Sequence, residues 1–173
     1  HASHSHAYAC VQCWSDQHTI NLRIMRVLPV FPEPPSLRCE VGPLEAWYTR
    51  PAGAVLQLTE VGPFTKEMAD WIVGPAYEAF TLHFPGHTEL RLLLDIRPLT
   101  SREPAARRVI LEAGAKYLRA FSHVAILAPT KPPPLYMTTL TGAVALMSAF
   151  GPDIALHPDL PTALKHLGLQ PGG

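Results

Sequence analysis

The sequence is poor in charged residues. Only 16% of its 173 residues are charged, and 14 basic residues balance 14 acidic ones, so the formal net charge is zero. A chain without a net charge has no long-range attraction for nucleic acid or for anionic lipid. We therefore expect no nucleic-acid partner. Because 47% of the residues are hydrophobic and polar surface is limited, the composition favours association with a protein partner or with itself as a homo-oligomer.

Cysteines and long apolar runs are scarce as well. Three cysteines cannot close a disulfide framework, which favours a reducing compartment. Apolar runs such as Leu140 to Phe150 are shorter than the ~18 residues that a membrane span needs. The N-terminus also lacks the basic and apolar stretches of a signal peptide. We expect a cytoplasmic protein without a membrane span.

Two motifs of well-understood chemistry are missing. The sequence contains no Gly-rich phosphate loop and no nucleophile elbow of the G-x-S-x-G kind. It therefore gives no assignment of a catalytic residue or of an organic cofactor. A noncatalytic protein is favoured over an enzyme.

Residues 1–24 differ in composition from the rest of the chain and hold four of its nine histidines. The x₂ spacing of two cysteines in this segment lets two thiolates reach one zinc ion, with histidines to complete the tetrahedron. The candidate ligands are His4, His6, Cys10, Cys13 and His18. No second ligand pair stands at a recognisable distance, so two alternatives remain. The segment is a leader before a natural start at Met25, or an extension that docks on a neighbour.

Residues 25–43 are predicted to form a proline-rich connector to a single domain at residues 44–169. The run from Pro29 to Pro35 should be extended and non-helical, because proline fixes φ and lacks an N–H donor. A stiff tether is the simplest interpretation.

The domain itself alternates strand-like and helix-like segments. The runs 44–50 and 54–61 predict a hairpin across the turn Pro51–Gly53. Thr65 should cap a helix that Gly74 and Pro75 interrupt. Strands around 92–94, 123–129 and 153–157 should then alternate with helices at 102–121, at 132–150 and after Asp159. The predicted order is β-β-α-β-α-β-α-β-α, an α/β fold with a mostly parallel sheet, an N-terminal hairpin and covering helices.

This element order carries a family resemblance, together with the central strand Leu92 to Ile96 and the final capped helix that begins Asp159-Leu-Pro-Thr-Ala-Leu. Residues 44–169 resemble the STAS family of anti-sigma factor antagonists. The likeness is greater to its divergent bacterial branch, which shares its architecture with the lipid-binding CRAL-TRIO fold. The resemblance implies a regulatory or protein-interaction module.

In that family a serine or threonine in the turn after the central strand is phosphorylated by a partner kinase. The resemblance places Thr100 and Ser101 at that position, without the glycine and second aspartate that usually accompany it. Ser101 also stands where the next helix should begin, with Pro104 in its first turn, so it is expected to act as the N-cap. Capping and phosphorylation are alternatives for the same hydroxyl.

Several polar residues end neighbouring strands of the predicted sheet. Parallel strands bring their carboxyl ends to one edge, so these residues are expected to form a polar rim. They are Asp95, Thr100, Ser101, Thr130, Lys131 and His157. The Asp95 carboxylate should be paired, with Arg97 or with an N–H of the turn. As an alternative function, an acid, a hydroxyl, a base and a cation together suit acyl or phosphoryl chemistry.

The helix from Leu135 to Phe150 is apolar along much of its length and includes Tyr136, Met137 and Met147. This stripe is typical of plain core, of a dimer interface or of an apolar-ligand pocket. The pocket hypothesis predicts a cavity between this helix and the sheet. The leading hypothesis is a noncatalytic STAS-like interaction module. An apolar-ligand (lipid) carrier is the first alternative, and a small enzyme or metal-binding protein is the second.

Overall fold

The computed structural model describes residues 29–129, 134–149 and 151–169. The strands are β1 Leu37–Arg38, β2 Leu44–Thr49, β3 Gly53–Leu58, β4 Gly62–Phe64, β5 Leu90–Asp95, β6 Leu99–Arg102, β7 Phe121–Leu127 and β8 Asp153–His157. The helices are α1 Lys66–Trp71, α2 Tyr77–His83, α3 Pro104–Tyr117, α4 Pro134–Ser148 and α5 Leu160–Leu167. None of the helices in these ranges is both long and apolar enough to cross a membrane.

A six-stranded sheet in the order β1-β2-β3-β5-β7-β8 forms the centre of the fold. The pairs β1–β2 and β2–β3 are antiparallel, whereas β3, β5, β7 and β8 run parallel to one another. The predicted hairpin is therefore confirmed as β2–β3, and β5 is the interior strand expected around Leu92. The mostly parallel α/β architecture is also confirmed.

The helix boundaries follow the local signals in the sequence. The Thr65 hydroxyl accepts a hydrogen bond from the backbone N–H of Met68 and caps α1. A π-helical turn, Ile72–Ala76, contains Pro75 and separates α1 from α2, as expected where proline removes a helical donor. Asp159 caps α5 by accepting from the Thr162 N–H at 2.9 Å. Gly168 ends α5 at φ 59°, a left-handed conformation that glycine adopts without strain.

Three strands were not expected from the sequence. β1 extends the edge of the large sheet, and β4 and β6 pair in parallel as a separate two-stranded sheet. β4 contains only three residues, including Gly62 and Pro63, and both residue types are depleted in strands. Pairing between distant segments produces this small sheet, which local propensity does not predict.

Opposite faces of the large sheet pack against different helices. Side chains alternate between the faces along each strand, so neighbouring residues such as Leu93 and Leu94 belong to different layers. One face packs against α5 through a compact cluster, and the other lies under α1 to α4. The α5-side cluster comprises Phe31, Trp47, Val55, Leu93, Ala125, Leu127, Ala163, Leu164, Leu167 and Leu169.

The proline-rich segment is packed onto the domain. Phe31 is buried in the cluster on the α5 side, and the Val30 N–H donates to the Gln57 side-chain oxygen at 2.9 Å. The Trp47 indole N–H donates to the Glu33 carbonyl at 2.9 Å. The segment is non-helical, as predicted, but it is not a free tether, because burial of Phe31 fixes it against the sheet.

Candidate ligand cavity

A cavity of about 490 Å³ lies between the sheet, the π-helical turn Ile72–Ala76 and the helices α2, α3 and α4. Its volume falls within the range of roughly 300–1,000 Å³ that is typical of small-molecule sites. The walls are mainly aliphatic and aromatic. The sheet contributes Leu44, Ala46, Tyr48, Ala54, Leu56, Leu58, Leu92, Leu94, Phe121 and Ile126, and the helices contribute residues such as Ile72, Tyr77, Phe80, Ile110, Leu111, Tyr117, Leu140, Ala143, Leu146 and Met147.

Helical periodicity places the side chains of α3 and α4 on the cavity wall. Most of the lining positions on both helices recur at spacings of three and four residues, which is one face of an α-helix. The lining positions are Arg107, Ile110, Leu111, Gly114, Tyr117 and Leu118 from α3 and the turn after it, and Thr138, Thr139, Leu140, Gly142, Ala143, Leu146 and Met147 from α4. In a fully packed protein, the apolar stripes of α3 and α4 would fill a core. In this fold, they border open space.

Small residues help to keep that space open. Gly142 lies on the cavity side of α4, and a Cβ atom built there meets no other heavy atom within 4 Å. A Cβ atom on Gly114 of α3 meets only the Leu118 side chain, at 3.5 Å. Both glycines line the cavity, so a larger side chain at either position would border this space.

Aromatic rings form one part of the wall. Phe80 and Phe121 stack with centroids 5.7 Å apart, and Tyr77 meets Tyr117 edge to face at 4.3 Å. Aromatic pairs of this kind add about 0.5–1.5 kcal/mol beyond the burial of their surface, so this part of the wall is firmly built.

The cavity has a small cationic region beside the start of α3. Arg102, at the end of β6, and Arg107, in the first turns of α3, both contribute to the wall. The Arg102 guanidinium lies over the Tyr136 ring at 5.4 Å from the centroid. Burial raises the pKa of Tyr136, and the charge of Arg102 partly offsets that increase.

Of the residues predicted to form a polar rim, Asp95, Thr100, Ser101 and His157 lie within the described part of the chain. Asp95 is 2% exposed and is paired as expected: its carboxylate accepts from the Arg97 Nε at 2.8 Å, from Arg97 Nη2 at 2.7 Å and from Gln57 at 3.2 Å. The hydrogen bond to Asp95 raises the pKa of Arg97. This network lies on the α5 side of the sheet, because Asp95 shares its row with Gln57 and Leu127.

The expected N-cap role of Ser101 is wrong. Ser101 lies within β6, paired with Pro63 of β4, and Glu103 is the residue that precedes α3. The backbone of Ser101 is held in a strand, so the helix begins later, at Pro104. Thr100 and Ser101 are both exposed on β6. Neither is part of the Asp95 network, and phosphorylation of either hydroxyl remains a prediction.

His157 ends β8. One strand, β7, separates it from Asp95 of β5, and Leu127 lies between the two residues in register. Its ring packs against His166 of α5 at 4.9 Å between centroids. Burial lowers the pKa of His157, and His166 lowers it further, against the opposing effect of Asp159 and Asp153. Thr130 and Lys131 lie outside the described residues, so their place at the rim is still a prediction.

The zinc hypothesis also falls outside the described part of the chain, because it depends on His4, His6, Cys10, Cys13 and His18. Within the ranges that the structure describes, no group of three or more His, Cys, Asp or Glu side chains is arranged to hold a metal ion.

The cavity predicted between the apolar helix and the sheet is present. Met147 lines it, whereas Tyr136 packs against Arg102, and Phe150 lies outside the described residues. The sequence reasoning missed the contributions of the π-helical turn, of α2 and α3, and of both arginines. The spacing of Arg107, Leu111 and Gly114 along α3 was the available signal, since it places a cation on the same helical face as apolar residues.

Comparison with known proteins supports the fold. No family model and no curated protein matches the chain. Among solved structures, it is similar to an uncharacterized protein of the DUF3478 family with a SpoIIAA-like fold, from Shewanella loihica PV-4. The match has a TM-score of 0.53 and 20% identity, and it covers 72% of this chain and 91% of the other. The SpoIIAA-like, STAS-type fold expected from the sequence is therefore confirmed, at the level of fold alone.

Proposed function

We propose that the chain is a noncatalytic STAS-like module that binds an apolar small molecule in the cavity between the sheet and the helices α2 to α4. The single observation that carries this proposal is the cavity itself, about 490 Å³ with largely apolar walls. An apolar molecule that fills it would remove wall surface from water, which is favourable by roughly 25 cal/mol for each Å².

The arrangement of the polar residues supports a binding role over catalysis. Asp95 is bonded to Arg97 and Gln57, Ser101 is exposed on β6, and His157 packs against His166. Because Asp95 and His157 are engaged in these contacts and Ser101 is exposed, binding is favoured over catalysis.

Binding of a neutral fluorescent probe tests the proposal. N-phenyl-1-naphthylamine should bind with an increase in fluorescence, and native mass spectrometry of gently purified protein should show a retained apolar molecule. Gly142→Phe should weaken probe binding by at least about tenfold, because the ring would occupy the cavity.

Ala145→Phe is the matched control. Ala145 lies on the same helix, is exposed and does not line the cavity, so it should leave probe binding unchanged. Equal binding by Gly142→Phe and the unmodified protein would rule out the cavity as the binding site.

A regulatory or protein-interaction role is the second candidate. It is favoured by the fact that α3 and α4 both line the cavity and also carry exposed residues, so a ligand in the cavity would contact helices that present a surface to solvent. The probe should then slow amide hydrogen exchange in α3 and α4. Unchanged exchange in both helices would argue against this role. The cytoplasmic location remains a prediction from the sequence.

A further inference from the structure

Two arginines border a cavity that is otherwise largely apolar. Arg102 is partly buried, Arg107 is exposed, and both guanidiniums are permanently charged. Neither has an acidic partner within the described ranges of the chain. A guanidinium beside an apolar wall is stabilised when an anion accepts its hydrogen bonds, so the pair offers a place for a negative group.

Two acidic side chains near Arg102 in the sequence are engaged elsewhere. Glu103 lies between the two arginines in the chain, but its carboxylate accepts from the Lys66 backbone N–H at 2.9 Å. Asp95 also contributes to the cavity wall, but its carboxylate is bonded to Arg97 and Gln57 on the α5 side of the sheet. The charge of Arg102 and Arg107 is therefore available to a ligand.

The surroundings of Arg102 hold it in place and favour an anion. Its guanidinium packs over the Tyr136 ring at 5.4 Å, an arrangement that restricts the side chain. The Tyr136 hydroxyl is buried and has no hydrogen-bond partner within the described residues. The positive end of the 14-residue helix α3 begins two residues after Arg102, at Pro104, and its partial charge attracts anions as well.

We propose that the ligand of this cavity is an anionic amphiphile. Its apolar tail lies between the sheet and the helices, and its carboxylate or phosphate head group binds Arg102 and Arg107. This inference rests on the proposed function. The planar, multiply donating guanidinium suits both head groups, so their relative affinities must be measured.

Competition among ligands with the same tail tests the head group. Dodecanoic acid, dodecyl phosphate and 1-dodecanol are titrated against bound N-phenyl-1-naphthylamine. At least one anion should displace the probe about tenfold or more better than the alcohol, as expected for charge-assisted hydrogen bonds. Whichever of dodecanoic acid and dodecyl phosphate displaces the probe better identifies the preferred head group. The preference for the anion over the alcohol should decrease as salt is added.

Substitution locates the head-group site. The double variant Arg102→Gln with Arg107→Gln should bind the anions no more tightly than it binds 1-dodecanol. The variant should still bind 1-dodecanol as the unmodified protein does, which would show that the cavity is intact. Arg102→Lys keeps the charge and should retain most of the preference. Arg108→Gln is the matched control, because Arg108 is exposed on α3 and does not line the cavity.

The outcomes separate this inference from the function on which it rests. Equal displacement by anion and alcohol, or a preference that survives in the double variant, overturns the head-group site but leaves apolar binding intact. If none of the three ligands displaces the probe and Gly142→Phe does not weaken probe binding, the proposed function fails as well.

Discussion

Helix α5 lies directly on one face of the large sheet, whereas α2, α3 and α4 border a cavity of about 490 Å³ on the other face. On the α5 side Val55, Leu93 and Ala125 are each 0% exposed. On the cavity side the exposure varies: Leu56 is 7% and Leu92 is 8% exposed, whereas Val124 is 1% exposed, although all these residues lie on interior strands. The α5 side is packed as a stabilising core, and the cavity side has space for a ligand.

The first prediction compares adjacent residues of β5 on opposite faces. Leu93→Ala should lower the free energy of unfolding by about 3 kcal/mol, because it leaves a void in a filled core. Leu94→Ala should cost only about 1 kcal/mol, since Leu94 already borders the cavity. Urea denaturation of both variants measures the difference. Equal losses would show that the two faces are equally well packed.

The second prediction adds volume to each side. Gly142→Ala should stabilise the protein by about 0.5–1 kcal/mol, because alanine favours the helix and its Cβ atom meets nothing within 4 Å. Gly168→Ala, at the end of α5, should destabilise it by about 1 kcal/mol, because Gly168 has φ +59° and a Cβ atom there lies 3.0 Å from Arg91.

Thermal unfolding gives the sign of each change. A loss of stability on Gly142→Ala would mean that the cavity side is filled. It would contradict the conclusion that this side has space and only the α5 side is tightly packed.

The smallest expected effect concerns pH and the α5 side. His157 has a pKa below its ordinary value of 6.5, chiefly because of burial, so the folded state binds fewer protons than the unfolded state. Stability should therefore fall as the pH drops through about 6.5 and below, until His157 is protonated in the folded state as well.

Melting temperatures at about pH 7.5 and pH 5.5 test this expectation. His157→Gln should reduce the drop between them, whereas the control His87→Gln, at an exposed histidine before β5, should not. A drop of the same size in both variants would assign the pH dependence to other groups.

Much of the fold was predictable because its signals are local. Thr65 and Asp159 cap their helices, Pro75 interrupts a helix and Gly168 ends one through backbone chemistry confined to a few residues. Apolar periodicity likewise indicated the strands and the helical stripes. The cavity beside α4 was foreseen only as one of three interpretations of such a stripe.

The features of the structure that the sequence did not predict depend on contacts between residues that are far apart in the chain. Ser101 looked like a helix cap, yet pairing with Pro63, 38 positions earlier in the sequence, places it in β6. Phe31 looked like part of a tether until burial among the side chains of the α5-side cluster fixed it on the domain. Arg102 and Arg107 line the same cavity because β6 and α3 both border it. No local sequence pattern predicts that these two elements lie side by side.

The sequence by itself determined the hairpin, the four parallel strands of the large sheet, the helices that alternate with them and several helix ends, since these follow from hydrogen bonding and periodicity over short distances. Only the tertiary structure decided whether an apolar stripe fills a core or borders a cavity. That outcome depends on the separation between α3, α4 and the sheet, which is set jointly by all the elements that pack between them.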